Sequence, residues 1–365
     1  MEHVCPSIVL TNDWFTGLAS AYNKQGYFAD YFAGAKFVHI VHNLDDKYQG
    51  RIPLDAAINN ERVSYLTGLR ADLLIDPFWK DPIFNPSRCA LECSDQWATV
   101  SKSYRAEVKQ TSSLAPLLNK FAEPFAFPNG VRSRDVLARL EKLGDAREEK
   151  TKLLKKYFNL HYADAARYDS AILFGFVGRI CEQKGVHLLL ENIDYVLSVT
   201  HYNAYFILGG MVDGSEYSTA CVNHINELRG KYGRNFWADP HAFFHDGASL
   251  NKGADFFLMP SLFEPGGIVQ HEALIAGTPV IAYNTGGLKD SIVEFDAAAG
   301  TGNGFVFGTH NAFEMGAAIS RALGVLAQPA AYKQLRENCR RSFMDVSTVA
   351  RSWRAEFYRL IEKVS

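Results

Sequence analysis

The sequence predicts an α/β protein of about two domains, built from parallel strands with helical crossovers. Three observations predict it. The chain has 365 residues, a length that suits about two domains. Short apolar runs that end in polar or glycine-rich loops alternate with helical patterns from Ser7 onward. The clearest stretch, residues 253–290 (GADFFLMPSLFEPGGIVQHEALIAGTPVIAYNTGGLKD), reads strand, loop, helix, strand, loop, helix.

Taken in order, residues 7–11 form a strand with Asn12 and Asp13 at its C-terminal end. Residues 14–33 are helical in pattern, with Trp14, Leu18, Tyr22 and Phe32 as apolar markers. Residues 36–41 form a second buried strand, closed by His42, Asn43 and Leu44, so Asp13 and His42 share one rim of a parallel sheet. Residues 45–95 read as loop-rich, with Phe78, Trp79 and Phe84 available either to stack on sugars or to pack a lid. Residues 95–104 read as strand then helix start, and residues 125–131 as a strand ending in an Asn-Gly turn. Residues 134–160 are dense in charge and helical, with Glu148 and Lys152 as an i,i+4 pair, and are expected to be a solvated linker.

The second half opens with a buried strand at residues 171–177, then Gly178, Arg179 and a loop to Lys184-Gly185, with a helix from about Val186. Arg179 and Lys184 lie five apart across a strand-to-helix turn, which can aim a planar fork and a mobile ammonium at one diphosphate. Residues 204–210 form a further strand. Asp255–Met259 is a short buried strand stopped by Pro260. Ile268 and Ile275 are seven apart, a helical spacing, and Gly277-Thr278-Pro279 ends that helix. Val280–Tyr283 is the next strand, and Thr285-Gly286-Gly287 opens another helix.

Both loops of this stretch fall at the same end of the sheet, where α/β folds bind ligands. Gly266 and Gly267, and again Gly286 and Gly287, leave backbone amides unshielded at helix starts, a pattern that suits phosphate. Glu264 precedes Pro265 and is expected to be extended in the loop, with Glu272 eight residues on and about two turns into the helix. The alternative is that Glu264 merely favours a positive helix end while Glu272 faces water. The placement of both between two glycine loops favours hydroxyl acceptors beside a phosphate site, the needs of a sugar nucleotide.

The segment PSLFEPGGIVQHEALIAGTPVIAYNTGGLKDSI (260–292) resembles the donor site of retaining glycosyltransferases of GT-B architecture, most closely the glycogen/starch synthase family. TNDWFTGL (11–18), HNLDDKYQG (42–50) and FVGRICEQKG (176–185) agree in order and spacing, so the resemblance spans nearly the whole chain. It implies two Rossmann-like domains with parallel sheets facing a cleft: residues 1–165 with the linker, residues 166–348, and a helix over 349–365 crossing back to the first domain. It also implies glucose transfer with retention from ADP-glucose or UDP-glucose to the non-reducing end of an α-1,4-glucan. Arg179, Lys184, Gly266, Gly267, Ile268, Glu272, Thr285 and Gly286 then bind the donor. His42, Glu264, Arg179 and Lys184 are the implied catalytic set, and Asp13 and Asn43 lie on the acceptor and sugar side. Domain closure is expected to assemble the site.

The chain departs from the family in two places. Arg132 stands where an aspartate usually follows the Asn-Gly turn. Family members also begin with a strand and a Lys-x-Gly-Gly-type loop, and no such segment precedes Ser7, so the first domain is expected to be incomplete, with an open sheet edge prone to self-association. Two alternatives follow: a non-catalytic glucan- or nucleotide-binding partner of a full synthase, or a related transferase with another acceptor.

Composition adds exclusions. The net charge is −2, so no basic excess exists to hold nucleic acid or an anionic membrane. No apolar run approaches the ~18–20 residues that span a bilayer. Six scattered cysteines, with only a lone CxxxC at Cys89 and Cys93, fit reduced thiols in a cytoplasmic compartment rather than zinc, with a plastid left open as the alternative. No metal or cofactor is implied, because two cations and helix ends already neutralise the phosphates.

Overall fold

The computed structural model describes residues 6–28 and 30–362. They form two compact units: residues up to Asn129 together with those from Thr348 on, and Gly130–Ser347.

The first unit holds β1 (Ile8–Asn12), β2 (Lys36–Val41), the short strands β3 (Ile52–Pro53) and β4 (Ile83–Phe84), β5 (Gln96–Thr99) and β6 (Phe125–Ala126). Strands β1-β2-β5-β6 form a parallel sheet in that order, and β3 and β4 pair separately, antiparallel. Val38, Ile40 and Ala98 line one face of the sheet, covered by Trp353 and Leu360 of the last helix, Val346–Glu362. Trp353 stacks on Phe127 at 4.1 Å, so the apolar stripe of that helix is spent on this core.

Two expectations for this unit need correction. Residues 14–33 are not one helix: a 3-10 turn at Trp14–Thr16 precedes a helix at Ala19–Lys24 only. The chain leaves the helix at Gln25-Gly26, where Gly26 takes a left-handed φ of +87°. Residues 45–95, expected to be loop-rich, carry helices at Asn60–Thr67, Ala71–Leu74 and Pro86–Cys93. The last of these was open to sequence reading, since Asn85 caps it by accepting from the Arg88 N–H and Pro86 follows at its first position.

The second unit carries β7 (Ile172–Val177), β8 (Ala204–Gly209), β9 (Phe236–Asp239), β10 (Phe256–Met259), β11 (Val280–Tyr283) and β12 (Gly304–Phe307). All are parallel, in the order β12-β11-β10-β7-β8-β9. The strands are near-continuous apolar runs because helices cover both faces. Phe174, Phe236, Phe256, Phe257, Phe305 and Phe307 are all fully buried, and Phe174 stacks on Phe206 at 4.9 Å. Each such ring contributes roughly 2–3 kcal/mol by burial, which makes this sheet a rigid base for its loops. The strand order reverses between β7 and β10. Loops leaving the C-terminal ends of these two strands lie at the switch point of the sheet, the place where doubly wound sheets bind ligands.

The charged stretch after the Asn-Gly turn is not a solvated linker. Helix Ala146–Phe158 buries Leu153, Leu154 and Phe158 against Tyr205, Ile207 and Leu250 in the second unit. Its charges have structural uses. Asp145 and Glu148 form a capping box, and Lys152 pairs with Glu149 at 2.6 Å instead of with Glu148. Lys150 is buried against Asp255 at 2.7 Å, tying this helix to the start of β10.

Candidate functional site

The loops at the strand-order reversal are stitched together by hydrogen bonds. After β7 the chain turns through Gly178 and Arg179 into a 3-10 turn, Glu182–Lys184, and then the helix Val186–Val199. After β10 it runs from Pro260 to Ile268 before the helix Val269–Ala276. The Leu262 N–H donates to the Gln183 carbonyl at 2.9 Å, and the Gln183 side-chain amide donates to the Phe263 carbonyl at 3.3 Å. Gly185 permits this approach: with φ of +60°, a Cβ there would lie 2.1 Å from the Pro260 oxygen. His310, just after β12, holds the same Pro260 carbonyl at 2.8 Å through Nε2.

This stitching brings the key charges together. The Lys184 ammonium donates to Glu264 Oε2, and the Ser261 hydroxyl donates to the same oxygen at 3.1 Å. Glu264 is 7% exposed, so its charge is neutralised by a cation and a hydroxyl rather than by water. Arg179 is exposed and donates to the Gln183 side-chain oxygen at 3.2 Å, which holds it beside the loop that carries Glu264.

The amides of Gly266 and Gly267 have no hydrogen-bond partner among the described residues. Gly267 has φ of +67°, and the half-exposed Ile268 occupies the cap position of the following helix. A loop with free N–H groups ahead of a helix N-terminus attracts phosphate oxygens.

The second glycine loop departs from expectation. Gly287 donates its N–H to the Glu264 carbonyl at 2.7 Å, so that amide is spent inside the protein. The glycines there serve packing. A Cβ on Gly286 would lie 2.2 Å from the Glu264 oxygen, and one on Gly287 would lie 2.3 Å from the Gly266 oxygen. Thr285, buried, stands at the N-cap position of the short helix Gly286–Ser291, with no capping bond from its side chain.

Glu272 also differs. It lies in the first turn of its helix rather than two turns in, because the loop extends through Ile268 before the helix begins. Its Oε1 accepts from Arg139 at 3.0 Å. Sequence reading gives no role at the site to Arg139, Ser261, Gln183 or His310. His310 carried a usable signal, a polar residue just past a strand end. Arg139 carried none, because its partner is 133 residues away.

The other predicted residues lie in the first unit. β1 and β2 end side by side, and the His42 N–H donates to Asp13 Oδ1 at 2.7 Å. His42 Nε2 sits 3.1 Å from the Asn12 side-chain oxygen. Asp13 has φ of +46°, a strained conformation held by its own N–H donating to the Ile40 carbonyl at 2.9 Å. Burial pushes the Asp13 carboxyl above its usual range, partly offset by the His42 N–H and ring. Asn43 accepts from the Asp45 N–H at 2.8 Å, a local turn.

Among the described residues no helix is long and apolar enough to cross a membrane.

Comparison with known proteins gives a consistent picture. Residues 161–342 match the family described as glycosyl transferases group 1, and residues 1–120 match the starch synthase catalytic domain. A glycogen synthase of Myxococcus xanthus is 30% identical, over 98% of this chain and 72% of its own length. Glycogen synthases of Desulfitobacterium hafniense and Desulforudis audaxviator are 29% and 28% identical, over 91% and 87% of this chain. The chain spans 68% and 62% of those two proteins. In fold, it is similar to the catalytic domain of starch synthase IV from Arabidopsis thaliana, solved with ADP and acarbose: TM-score 0.82, 22% identity, 98% of this chain and 73% of that one. A sucrose-phosphate synthase from Thermosynechococcus elongatus gives a TM-score of 0.61 at 20% identity, over 98% of this chain and 74% of that one.

Proposed function

The chain belongs to the glycogen/starch synthase family of glycosyltransferases and has their GT-B fold, and from this premise we propose that it elongates an α-1,4-glucan. It does so by transferring glucose, with retention, from ADP-glucose or UDP-glucose to the non-reducing end. The observation that carries the reading is the Lys184–Glu264 pair beside the free amides of Gly266 and Gly267, at the strand-order reversal.

In this reading the donor diphosphate displaces Glu264 as the partner of Lys184. Arg179 and the amides of Gly266 and Gly267 take the remaining oxygens, with Ile268, Thr285 and Gly286 shaping the loops around them. As the glycosidic bond lengthens, negative charge grows on the diphosphate, and preorganised cations and amides stabilise it. Glu264, released from Lys184 but still held by Ser261, accepts from glucose hydroxyls and orients the ring. Glu272 accepts from the ribose. His42 steadies the glucose, and Asp13 and Asn43 serve the sugar and acceptor side. These groups supply the charge stabilisation, so the reading calls for no resident metal or cofactor.

The test is glucan elongation by the chain with each donor, following nucleotide release and chain length together. Glu264→Gln abolishes most transfer on this reading. Nucleotide release without glucan growth would instead favour another acceptor, and nucleotide binding without release a non-catalytic role.

A further inference from the structure

The carboxylate assigned to the ribose has a cationic neighbour that the reaction has not so far used. Arg139 belongs to the helix Ser133–Glu141, which is fixed against the helix Val269–Ala276. Val136 and Leu140, one turn apart, pack against Ile275 and Ala276. The start of the helix is anchored as well. The Ser133 hydroxyl donates to Asp345 at 2.5 Å, the Val131 N–H donates to the Met344 carbonyl at 2.9 Å, and the Val346 N–H donates to the Val131 carbonyl at 3.0 Å. With Val136 and Leu140 facing inward, Arg139 flanks the contact, and its Nη2 meets Glu272 Oε1 at 3.0 Å. The other carboxylate oxygen, Oε2, has no hydrogen-bond partner among the described residues.

We infer that Arg139 is a positioning residue that makes the site selective for ribonucleoside diphosphates. It holds one oxygen of Glu272 and so presents the other to the ribose hydroxyls. The inference rests on the reading of Glu272 as the ribose acceptor. An unpaired glutamate in the first helical turn samples several rotamers, and binding would have to order it. The guanidinium does that ordering in advance and leaves Oε2 to accept. Packing of the two helices places Arg139, so its side chain need not be recruited by the ligand.

The experiment measures dissociation constants for ADP and UDP, and for their 2′,3′-dideoxy counterparts, by calorimetry on the full chain. Arg139→Ala weakens the ribonucleotides by about three- to tenfold, the scale of one partly exposed ion pair and one ordered side chain. It leaves the dideoxy nucleotides unchanged. Arg139→Lys recovers part of the loss, and Arg139→Ala adds nothing in a Glu272→Gln background. Equal losses for both nucleotide kinds, or none for either, would overturn the inference. If Glu272→Gln weakens the ribonucleotides and Arg139→Ala does not, only the role of Arg139 falls. If Glu272→Gln binds them as tightly as the parent, the ribose reading of Glu272 falls and takes the inference with it. Unchanged thermal melting of Arg139→Ala separates these outcomes from misfolding.

Discussion

Lys184 donates its ammonium to Glu264, a largely buried carboxylate 80 residues further along the chain, across two loops that leave neighbouring strands. The pair neutralises a buried charge, and the proposed reading gives the same cation a second task, holding the donor diphosphate.

Those two tasks separate by mutation. Lys184→Met leaves Glu264 without its cation and costs about 1–3 kcal/mol of stability, less than a fully buried pair because Lys184 is partly exposed. It also lowers turnover more than about tenfold, the effect of losing ~1.4 kcal/mol in the transition state. Adding Glu264→Gln to that variant restores much of the stability and none of the transfer. Urea unfolding and glucan elongation on the same samples check both halves. Recovery of activity in the double variant would show that the pair is structural only.

Arg179 gives the converse case. It is exposed, and its recorded contact is the Gln183 side chain, so Arg179→Ala changes stability by no more than about 0.5 kcal/mol. The loss appears in kcat/KM for the nucleotide sugar, by more than about tenfold. Steady-state kinetics beside a melting curve tests it, and near-parent kinetics would remove Arg179 from the diphosphate site.

Much of this site was legible because strand ends are legible. Apolar runs closed by Pro260 or Gly178 locate the rim of the sheet, and Arg179 and Ser261 lie just beyond them. Glycine could be read as a residue that brings backbones close, but not which backbone it meets. The Gly287 amide, which the pattern offers to phosphate, is spent on the Glu264 carbonyl, and a Cβ on either glycine would strike the facing loop. Local charge patterns misled in the helix Ala146–Phe158, where three apolar residues among many charges decide burial. Pairs distant in sequence, such as Arg139 with Glu272, had no local signature at all.

The nesting of loops makes its own prediction. Gly287→Ala drives a methyl into the Gly266 oxygen, at 2.3 Å, and breaks the register that lets the Gly287 N–H reach the Glu264 carbonyl. Stability falls by about 1–3 kcal/mol, the range of overpacking in a close-packed region. ADP and UDP affinity falls with it, because Glu264, Gly266 and Gly267 shift together. Calorimetric titration of the variant decides this: parent-like affinity would mean that the two loops are not coupled.

Two buried histidines, one in each unit, predict a loss of stability in acid. His39, fully buried on β2, has Nδ1 on the Thr11 hydroxyl at 2.8 Å and no partner for Nε2. Burial first, and His42 second, lower its pKa from 6.5 to about 3. Burial lowers that of His271 to about 4. Both rings are neutral in the folded protein and take up a proton on unfolding once the pH falls below 6.5, so the unfolded state binds more protons in that window. Stability from each ring is therefore intact above pH 6.5 and is lost at about 1.4 kcal/mol per pH unit below it, until the folded pKa is reached. Between pH 7 and pH 5 this comes to about 2 kcal/mol for each unit. His39→Gln, which keeps a donor and an acceptor without the titration, flattens the decline of the first unit and leaves that of the second. Urea unfolding at pH 7 and pH 5, followed by hydrogen exchange in each unit, reads the two slopes separately. An unchanged slope in the first unit of His39→Gln would assign its acid lability to other groups.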